Sequence, residues 1–300
     1  MDKFLIANQF EHLQDHICKK VQEIDGVAFF KEDKWQREEG GGGRTRIIEE
    51  GGVIEKGGVN FSAVHGPVSD LMKKQLGLDG KEFFASGVSI VLHPFNPNVP
   101  IIHMNVRYFE MDTGVFWFGG GIDLTPHYVI PENAALFHAG LKKVCDRFKA
   151  DAYESYKNWA DDYFFIPHRD ETRGVGGIFF DHLDGQSGKS KDEILNFCIE
   201  LGQLFPEVYQ QQVELGKVKS YGEEELQWRN IRRGRYVEFN LVHDKGTKFG
   251  LLTGGRTESI LMSLPKEANW FYNYEPKADT AEALTLSMLK KGVDWLGLNN

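Results

Sequence analysis

Two neighbouring segments of the sequence carry polar side chains that are separated by two or four residues. They are SGVSIVLHP (86–94) and PIIHMNVRYFE (100–110). Because side chains alternate between the two faces of a strand, each segment is expected to have one polar and one apolar face. If the intervening stretch of prolines and asparagines forms a hairpin turn, the two polar faces become one surface. That surface would comprise Ser89, His93, His103, Asn105 and Arg107.

The composition of this set favours binding of an anion over simple exposure to water. Polar side chains on one face of a sheet are most often only solvated. Two imidazoles, an amide, a hydroxyl and a guanidinium on adjacent strands, however, supply several hydrogen-bond donors that suit a carboxylate. We therefore predict an anion-binding surface on this pair of strands.

A carboxylate is expected close to that surface. In WFGGGIDLTP (117–126), three successive glycines allow unusual backbone angles or the close approach of a flat ligand. Asp123 follows them, and we predict that it lies just beyond the end of a strand, where its side chain can reach into a cleft. The alternative is an ordinary turn in which Asp123 caps the residues that follow.

Arginine is concentrated beside glycine-rich turns in the second half of the chain. The segment IPHRDETRGVGG (166–177) contains Arg169 and Arg173, and QWRNIRRGRYVEF contains four more arginines. Arg256 follows two successive glycines. In a chain with a net charge of −9, such local clusters indicate a ligand that carries several carboxylates.

The elements that must position these residues are strands and helices in mixed order. Residues 86–123 show the pattern strand, turn, strand, turn, strand, and the short turns imply antiparallel neighbours. Two further strands are predicted within 44–66, after a glycine-rich loop at 40–43, and others at 234–244 and 248–255. Apolar residues at three- and four-residue spacing predict helices at 4–24, 131–162 and 190–216, with more helical stretches around 257–272 and 278–297.

Strands that are distant in sequence are interleaved with helices, and no linker rich in proline and serine divides the chain. We therefore predict one α+β domain over residues 1–300. Its centre is expected to be a large, mainly antiparallel β-sheet flanked on both sides by α-helices.

Several classes of function lack support in the sequence. It contains no nucleophile elbow, phosphate-binding loop, zincin motif or dinucleotide fingerprint. The negative net charge disfavours nucleic acid as a partner. Cys18, Cys145 and Cys198 are far apart, so they are interpreted as buried thiols of a reducing compartment. No segment has the roughly 18 apolar residues needed to cross a bilayer, and the N-terminus lacks signal features, so a cytoplasmic protein without stable membrane insertion is expected.

Five long segments resemble the oxygen-dependent coproporphyrinogen III oxidase family, in order along almost the whole chain. They are GGGGRTRIIEEGGVIEKGGVNFSAVHG, SGVSIVLHPFNPNVPIIHMNVRYFE, WFGGGIDLTP, HRDETRGVGGIFFD and RGRYVEFNLVHDKGTKFGLLTGGRTESILMSLP. The resemblance implies a homodimer that associates through residues 236–271, with an active cleft above an antiparallel sheet. It also implies the reaction: coproporphyrinogen III and O2 yield protoporphyrinogen IX, CO2 and H2O2 without an organic cofactor.

The resemblance also implies roles for individual residues. His103 matches the proposed proton donor, Asp123 matches the aspartate placed under the pyrrole nitrogens, and Arg107 is expected to act with them. Some histidines match metal ligands proposed for bacterial members, whereas eukaryotic members are regarded as metal-free, so we expect that no metal is required. Those histidines are His93, His103, His138 and His168. The implied substrate-binding positions are Ser89, Asn105, Val106, Arg107, Gly254, Gly255 and Arg256, to which we add Arg169 and Arg173.

Two other functions stay open on the sequence alone. One is a metal-dependent dioxygenase that uses two of these histidines and Asp123 to hold iron or another divalent metal. The other is a tetrapyrrole carrier without turnover. Loss of activity in chelator, restored by iron, would favour the first, and peroxide release from reduced tetrapyrrole and O2 would exclude the second.

Overall fold

The computed structural model describes residues 1–77, 80–252 and 254–297. Among these residues, seven strands form one antiparallel sheet, which confirms the predicted α+β class. In spatial order the strands are β1 (Lys31–Gln36), β2 (Gly41–Glu49), β3 (Ile54–Pro67), β4 (Glu82–Pro94), β5 (Ile101–Met111), β6 (Phe116–Thr125) and β9 (Gly177–Leu183). Two short strands, β7 (Phe165–Ile166) and β8 (Glu171–Thr172), pair with each other outside the sheet.

Helices lie against both faces of the sheet, as predicted. The helices at 3–25 and 191–217 confirm those predicted from apolar spacing, and two helices, at 131–148 and 152–163, occupy the predicted 131–162. Nine α-helices occur among the described residues. They are α1 (Lys3–Asp25), α2 (Asp70–Leu76), α3 (Pro131–Phe148), α4 (Ala152–Tyr163), α5 (Lys191–Lys217), α6 (Glu223–Glu238), α7 (Lys245–Leu252), α8 (Thr257–Leu261) and α9 (Ala281–Met288). A 3-10 turn at Gly185–Ser187 precedes α5, and a π-helical turn at Phe239–His243 follows α6.

One face of the sheet is apolar and forms the core. Even-numbered side chains such as Val88, Ile102 and Val106 are almost completely inaccessible to solvent. The helix α1 crosses β3 and β4 on this face, and α5 crosses β5 and β6. Because a slip by one residue would turn every one of these side chains to the opposite face, burial of the apolar side fixes the register of the strands.

Two of the predicted strands are helical, and this prediction was wrong. Residues 234–243 belong to α6 and the π-helical turn, which Asp244 ends, and 248–252 belong to α7. Gly254 and Gly255 lie in neither helix nor strand, and Thr253 lies outside the described residues. Their aromatic and β-branched residues suggested strands, but Tyr236 packs instead on Val91 and Ile101, on the face opposite to the core. Tertiary packing here overrides a local preference for extended structure.

Smaller differences concern the ends of elements. The glycine run predicted as a loop is mostly strand, because β2 begins at Gly41, and Gly42 and Gly43 pair with β1. The strand β1 was not predicted, since its sequence KEDKWQ is almost entirely exposed and lacks an alternating apolar face. Near the C-terminus, α8 and α9 are shorter than predicted, and prolines at 265 and 276 lie between them, where they disfavour continued helix. None of the described helices is both long and apolar enough to cross a membrane.

Candidate active site

The hairpin of β4 and β5 brings the predicted polar residues to one surface. Ser89 lies directly opposite Asn105, and His103 lies directly opposite Asp123 of β6. Arg107 is two residues beyond Asn105 on β5 and lies opposite Gly119. Because directly opposed residues project to the same side of a sheet, the predicted sharing of one face is confirmed. We call this surface the polar face; it carries Ser89, His93, His103, Asn105, Arg107 and Asp123.

Asp123 is buried within the sheet, so its predicted position beyond the end of a strand was wrong. It lies inside β6 and is only 1% exposed. One carboxylate oxygen accepts hydrogen bonds from His103 Nδ1 at 2.8 Å and from Arg173 Nη2 at 2.7 Å. The other oxygen accepts from Arg173 at 2.8 and 3.2 Å. Burial alone would raise the pKa of Asp123, but Arg173 and His103 outweigh it and hold the pKa below its usual value.

Arg173 is held by aromatic rings as well as by Asp123. Its guanidinium carbon lies 4.5–4.7 Å from the ring centroids of Phe164, Tyr236 and Phe239. Its Nη1 donates to Asn240 Oδ1 at 2.8 Å, and the side chain is 2% exposed. Burial favours loss of the proton, yet Asp123 and its surroundings raise the pKa of Arg173, so the cation is retained. Although predicted to bind substrate, Arg173 faces Asp123 rather than solvent.

His103 combines one anchored nitrogen with one accessible nitrogen. Its Nδ1 must donate to Asp123, because the carboxylate is ionised and can only accept. The neutral imidazole therefore keeps its lone pair on Nε2. No described residue bonds to Nε2, and the side chain is 17% exposed. The arrangement suits a group that gives a proton to a ligand on the polar face or takes one from it.

Arg107 lies on the same face of β5 as His103, with Asn105 between them, and is already paired. Its Nη1 donates to Asn105 Oδ1 at 2.8 Å, and its Nη2 lies 2.8 Å from Asp181 Oδ2 on β9. The side chain of Asn105 therefore accepts from Arg107 and keeps its amide hydrogens for a ligand. Asp181 was not predicted as a site residue, although its position next to the Phe-Phe pair in β9 was a signal in the sequence.

Glycines keep the polar face flat around these groups. Gly87 and Gly119 lie opposite Arg107, and Gly121 lies opposite Asn105, in the neighbouring strands. Because Gly119 has no side chain, Arg107 and Asp181 can lie close to the backbone there. Val106, by contrast, directs its side chain into the apolar core, so only its backbone is near the polar face.

The residues after α7 contact β1 and β3, on the side of the sheet away from β6. Ser259 accepts through its carbonyl from Asn60 at 2.6 Å, and Arg256 forms an ion pair with Asp33 of β1. Gly254 has the left-handed φ of 71° that favours glycine, and Gly255 N bonds back to Gly250. Since β1 and β5 are four strand spacings apart, about 19 Å, the structure does not bring Arg256 together with Arg107.

The four histidines implied as metal ligands do not form a metal site within the described residues. His138 of α3 donates to Val175 O and accepts from Tyr153 Oη, both at 2.9 Å, and burial lowers its pKa to about 4. His93 is fully buried and donates to Ser263 O. His168 is bonded on the surface to Glu238. This donor set does not fit a resident metal ion, because its nitrogens are directed to separate protein partners.

Arg169 also lies at the surface. Its guanidinium forms two hydrogen bonds to Glu238, at 2.7 and 2.8 Å, so it shares a partner with His168. Arg169 and His168 are therefore both held by Glu238, whereas His103 is held by Asp123. The structure does not bring Arg169 into the site around His103.

Fold and site together define a class of protein: an α+β protein with a continuous antiparallel sheet, whose polar face combines a carboxylate-anchored histidine with an arginine. Comparison with known families makes this specific. Residues 5–295 match the family model described as coproporphyrinogen III oxidase, and the chain therefore belongs to that family. The resemblance noted in the sequence is confirmed, and the chain is an oxidoreductase of porphyrin and haem biosynthesis.

Proposed function

We propose that the protein is an oxygen-dependent coproporphyrinogen III oxidase that converts two propionate groups of its substrate into vinyl groups. The observation that carries this proposal is the pairing of His103 with the buried Asp123 at 2.8 Å, on the same face of the sheet as Asn105 and Arg107. This arrangement offers proton exchange and carboxylate binding on one face, and both are needed for a propionate to lose CO2.

Arg107 and Asn105 are proposed to hold a propionate. A guanidinium binds a carboxylate through charge-assisted hydrogen bonds, and the free amide hydrogens of Asn105 add a further donor. The hydroxyl of Ser89, opposite Asn105, completes the set on β4. These contacts fix the reacting carbon relative to His103, which is the contribution of orientation to catalysis.

His103 is proposed to take a proton from a pyrrole nitrogen through Nε2, while Asp123 stabilises the imidazolium that results. The electron-rich ring can then add O2 at a carbon atom and form a peroxide. The peroxide takes a proton from the β-carbon of the propionate, and the electron pair left behind expels hydroperoxide from the ring carbon. Loss of CO2 then supplies the electron pair that completes the vinyl group. The hydroperoxide takes up a proton to give H2O2, and His103 returns its proton to the pyrrole nitrogen.

Asp123 is proposed to act through His103 in this scheme. Direct contact with the pyrrole nitrogens, as implied by the family resemblance, would require the carboxylate to give up bonds to Arg173 or His103. No step of the scheme requires a metal ion.

Two finer features complete the proposal. We infer a homodimer that associates through residues 236–271, because this region exposes several large apolar side chains; they are Leu241, Val242, Leu251, Leu252, Trp270 and Phe271. A reducing compartment such as the cytoplasm is supported by the three cysteines, which are free and buried.

Incubation of the purified enzyme with coproporphyrinogen III, with and without air, tests the function directly. Vinyl products, followed by chromatography, are expected only in air and together with peroxide. Product formation without O2 would contradict oxygen dependence. Binding of the tetrapyrrole without product in air would favour a carrier, and loss of activity in chelator with recovery in iron would favour a metal-dependent dioxygenase.

Gly119→Ala tests whether the flat floor is needed under Arg107. The added methyl group would overlap Asp181 Oδ1 and lie 2.8 Å from Arg107 Nη2, so the guanidinium must move. Loss of one well-placed charge-assisted contact is expected to raise KM for coproporphyrinogen III about tenfold. Gly185→Ala is the matched control, because a methyl group there meets no atom within 4 Å. Unchanged KM in Gly119→Ala would argue against carboxylate binding at Arg107.

A further inference from the structure

The edge strand β9 carries an irregularity beside Arg107. Gly120 pairs with Phe180, but Phe118 pairs with Leu183, so β9 has one extra residue at this point. His182 takes up the bulge with a left-handed φ of 50°, and its ring stacks on Trp117 with centroids 4.8 Å apart. A bulge of this kind redirects side chains, and here two consecutive residues of β9 face the polar side.

Asp181, the first of these residues, occupies the guanidinium of Arg107. One carboxylate oxygen lies 2.8 Å from Arg107 Nη2, and the other accepts from the backbone N–H of His182 at 2.9 Å. The pair sits over Gly119, where a side chain would displace it. Arg107 is 39% exposed and Asp181 24% exposed. Ion pairs with this much exposure contribute little to stability, so the partners can be exchanged.

The charges of the site are balanced before any substrate arrives. Arg173 is neutralised by Asp123, and Arg107 is neutralised by Asp181. The first pair is buried in an aromatic enclosure and the second is open to solvent. Of these two arginines, only Arg107 therefore has a counter-ion that can leave when a tetrapyrrole brings additional carboxylates.

We propose that Asp181 is a specificity-determining residue that stands in for a substrate propionate on Arg107 and must be displaced when the substrate binds. The inference rests on the proposed function, in which Arg107 holds a propionate. A ligand that binds the guanidinium of Arg107 must therefore first break its ion pair with Asp181. A ligand that has no carboxylate at this position cannot displace Asp181. Asp181 also supplies Arg107 with an anion whenever no ligand carboxylate is present.

A simpler role for Asp181 would be to orient Arg107, and the two roles predict effects of opposite sign. Asp181→Asn keeps the size of the side chain and an acceptor for Arg107 but removes the competing charge. If Asp181 competes with the ligand, Asn at this position is expected to tighten binding of coproporphyrin III about tenfold. This tetracarboxylate is the fully conjugated, non-reacting form of the substrate, and its fluorescence reports the dissociation constant. If Asp181 only orients Arg107, binding weakens.

Two further variants complete the experiment. In an Arg107→Gln background, Asp181→Asn is expected to have no effect, because the site of competition is gone. Asp162→Asn removes a surface carboxylate of α4 that pairs with Lys291, and it should leave the dissociation constant unchanged.

Weaker or unaltered binding by Asp181→Asn would overturn the proposal, and so would tightening that persists without Arg107. Turnover of coproporphyrinogen III by the wild-type enzyme reports separately on the proposed function. A wild-type enzyme that neither turns over the reduced form nor binds coproporphyrin III would overturn both.

Discussion

Asp123→Asn is expected to lower kcat by about a hundredfold to ten-thousandfold while leaving the dissociation constant for coproporphyrin III nearly unchanged. The carboxylate accepts from His103 Nδ1 and so keeps the lone pair of the imidazole on Nε2. An amide carries no charge to stabilise the imidazolium that forms when Nε2 takes a proton. Its NH2 group would also face donors of Arg173. Binding is retained because Asp123 is buried and reaches the ligand only through His103.

Asp161→Asn is the matched control for this experiment. Asp161 is also a buried aspartate in an ion pair, with Lys157 at 2.6 Å, but that pair lies within α4. Its replacement is expected to affect the melting temperature and leave kcat near the wild-type value. If Asp123→Asn retained kcat within tenfold of wild type, the role of Asp123 in proton exchange would be ruled out.

Arg173→Met is expected to cost about 3 to 5 kcal/mol of unfolding free energy and to abolish most activity. Removal of the cation leaves Asp123 buried without its main counter-charge. The rings of Phe164, Tyr236 and Phe239, which enclose the side chain at position 173, supply no replacement charge. Burial, which already acts to raise the pKa of Asp123, would then dominate. The carboxyl group would take up a proton and could no longer support His103.

The dependence of this effect on pH has a definite sign. In the wild-type protein the pKa of Asp123 is lowered, so its ionised form stabilises the fold above the ordinary aspartate pKa, and this contribution is lost as pH falls. In Arg173→Met the folded-state pKa is raised instead, so the variant loses stability as pH rises. As pH falls from about 8 to about 5, the difference in melting temperature between Arg173→Met and the wild-type protein should therefore become smaller.

Arg173→Lys separates charge from geometry in the same experiment. Lysine keeps a cation near Asp123 but lacks the planar fork that bonds both carboxylate oxygens and Asn240. We expect partial recovery of stability and of kcat relative to Arg173→Met. A stability deficit of Arg173→Met that was independent of pH would contradict the assignment of Arg173 as the group that keeps Asp123 ionised.

The strands that carry the site were predictable because their pattern is local. Alternation over 86–94 and 100–110, with a short turn between, determines which side chains share a face, and the observed pairing of Ser89 with Asn105 follows from it. The glycine run before Asp123 was noticed for the same reason. The local pattern could not show how deeply each residue is buried. Asp123 lies inside the strand and is inaccessible to solvent, because other segments pack over it.

The remaining features depend on contacts between distant parts of the chain. Arg173 bonds to Asp123, which is 50 residues away in the sequence, and to Asn240, which is more distant still. The segment at 234–244 is helical because Tyr236 packs on Val91 and Ile101, which its own composition does not reveal. The implied metal ligands His93 and His138 likewise looked available in the sequence, and only the fold shows that protein groups already use them.

The groups proposed to do chemistry sit in the middle of hydrogen-bonded strands, not on the loops that connect them. Insertions or exchanges in the loops, the commonest route by which related enzymes acquire new substrates, would leave His103, Asn105 and Arg107 where they are. Altering this enzyme for a different tetrapyrrole would instead require changes within β4, β5 and β6, where each residue has neighbours on both sides. Laboratory evolution of its substrate range should accordingly succeed with paired substitutions on adjacent strands more often than with libraries confined to surface turns.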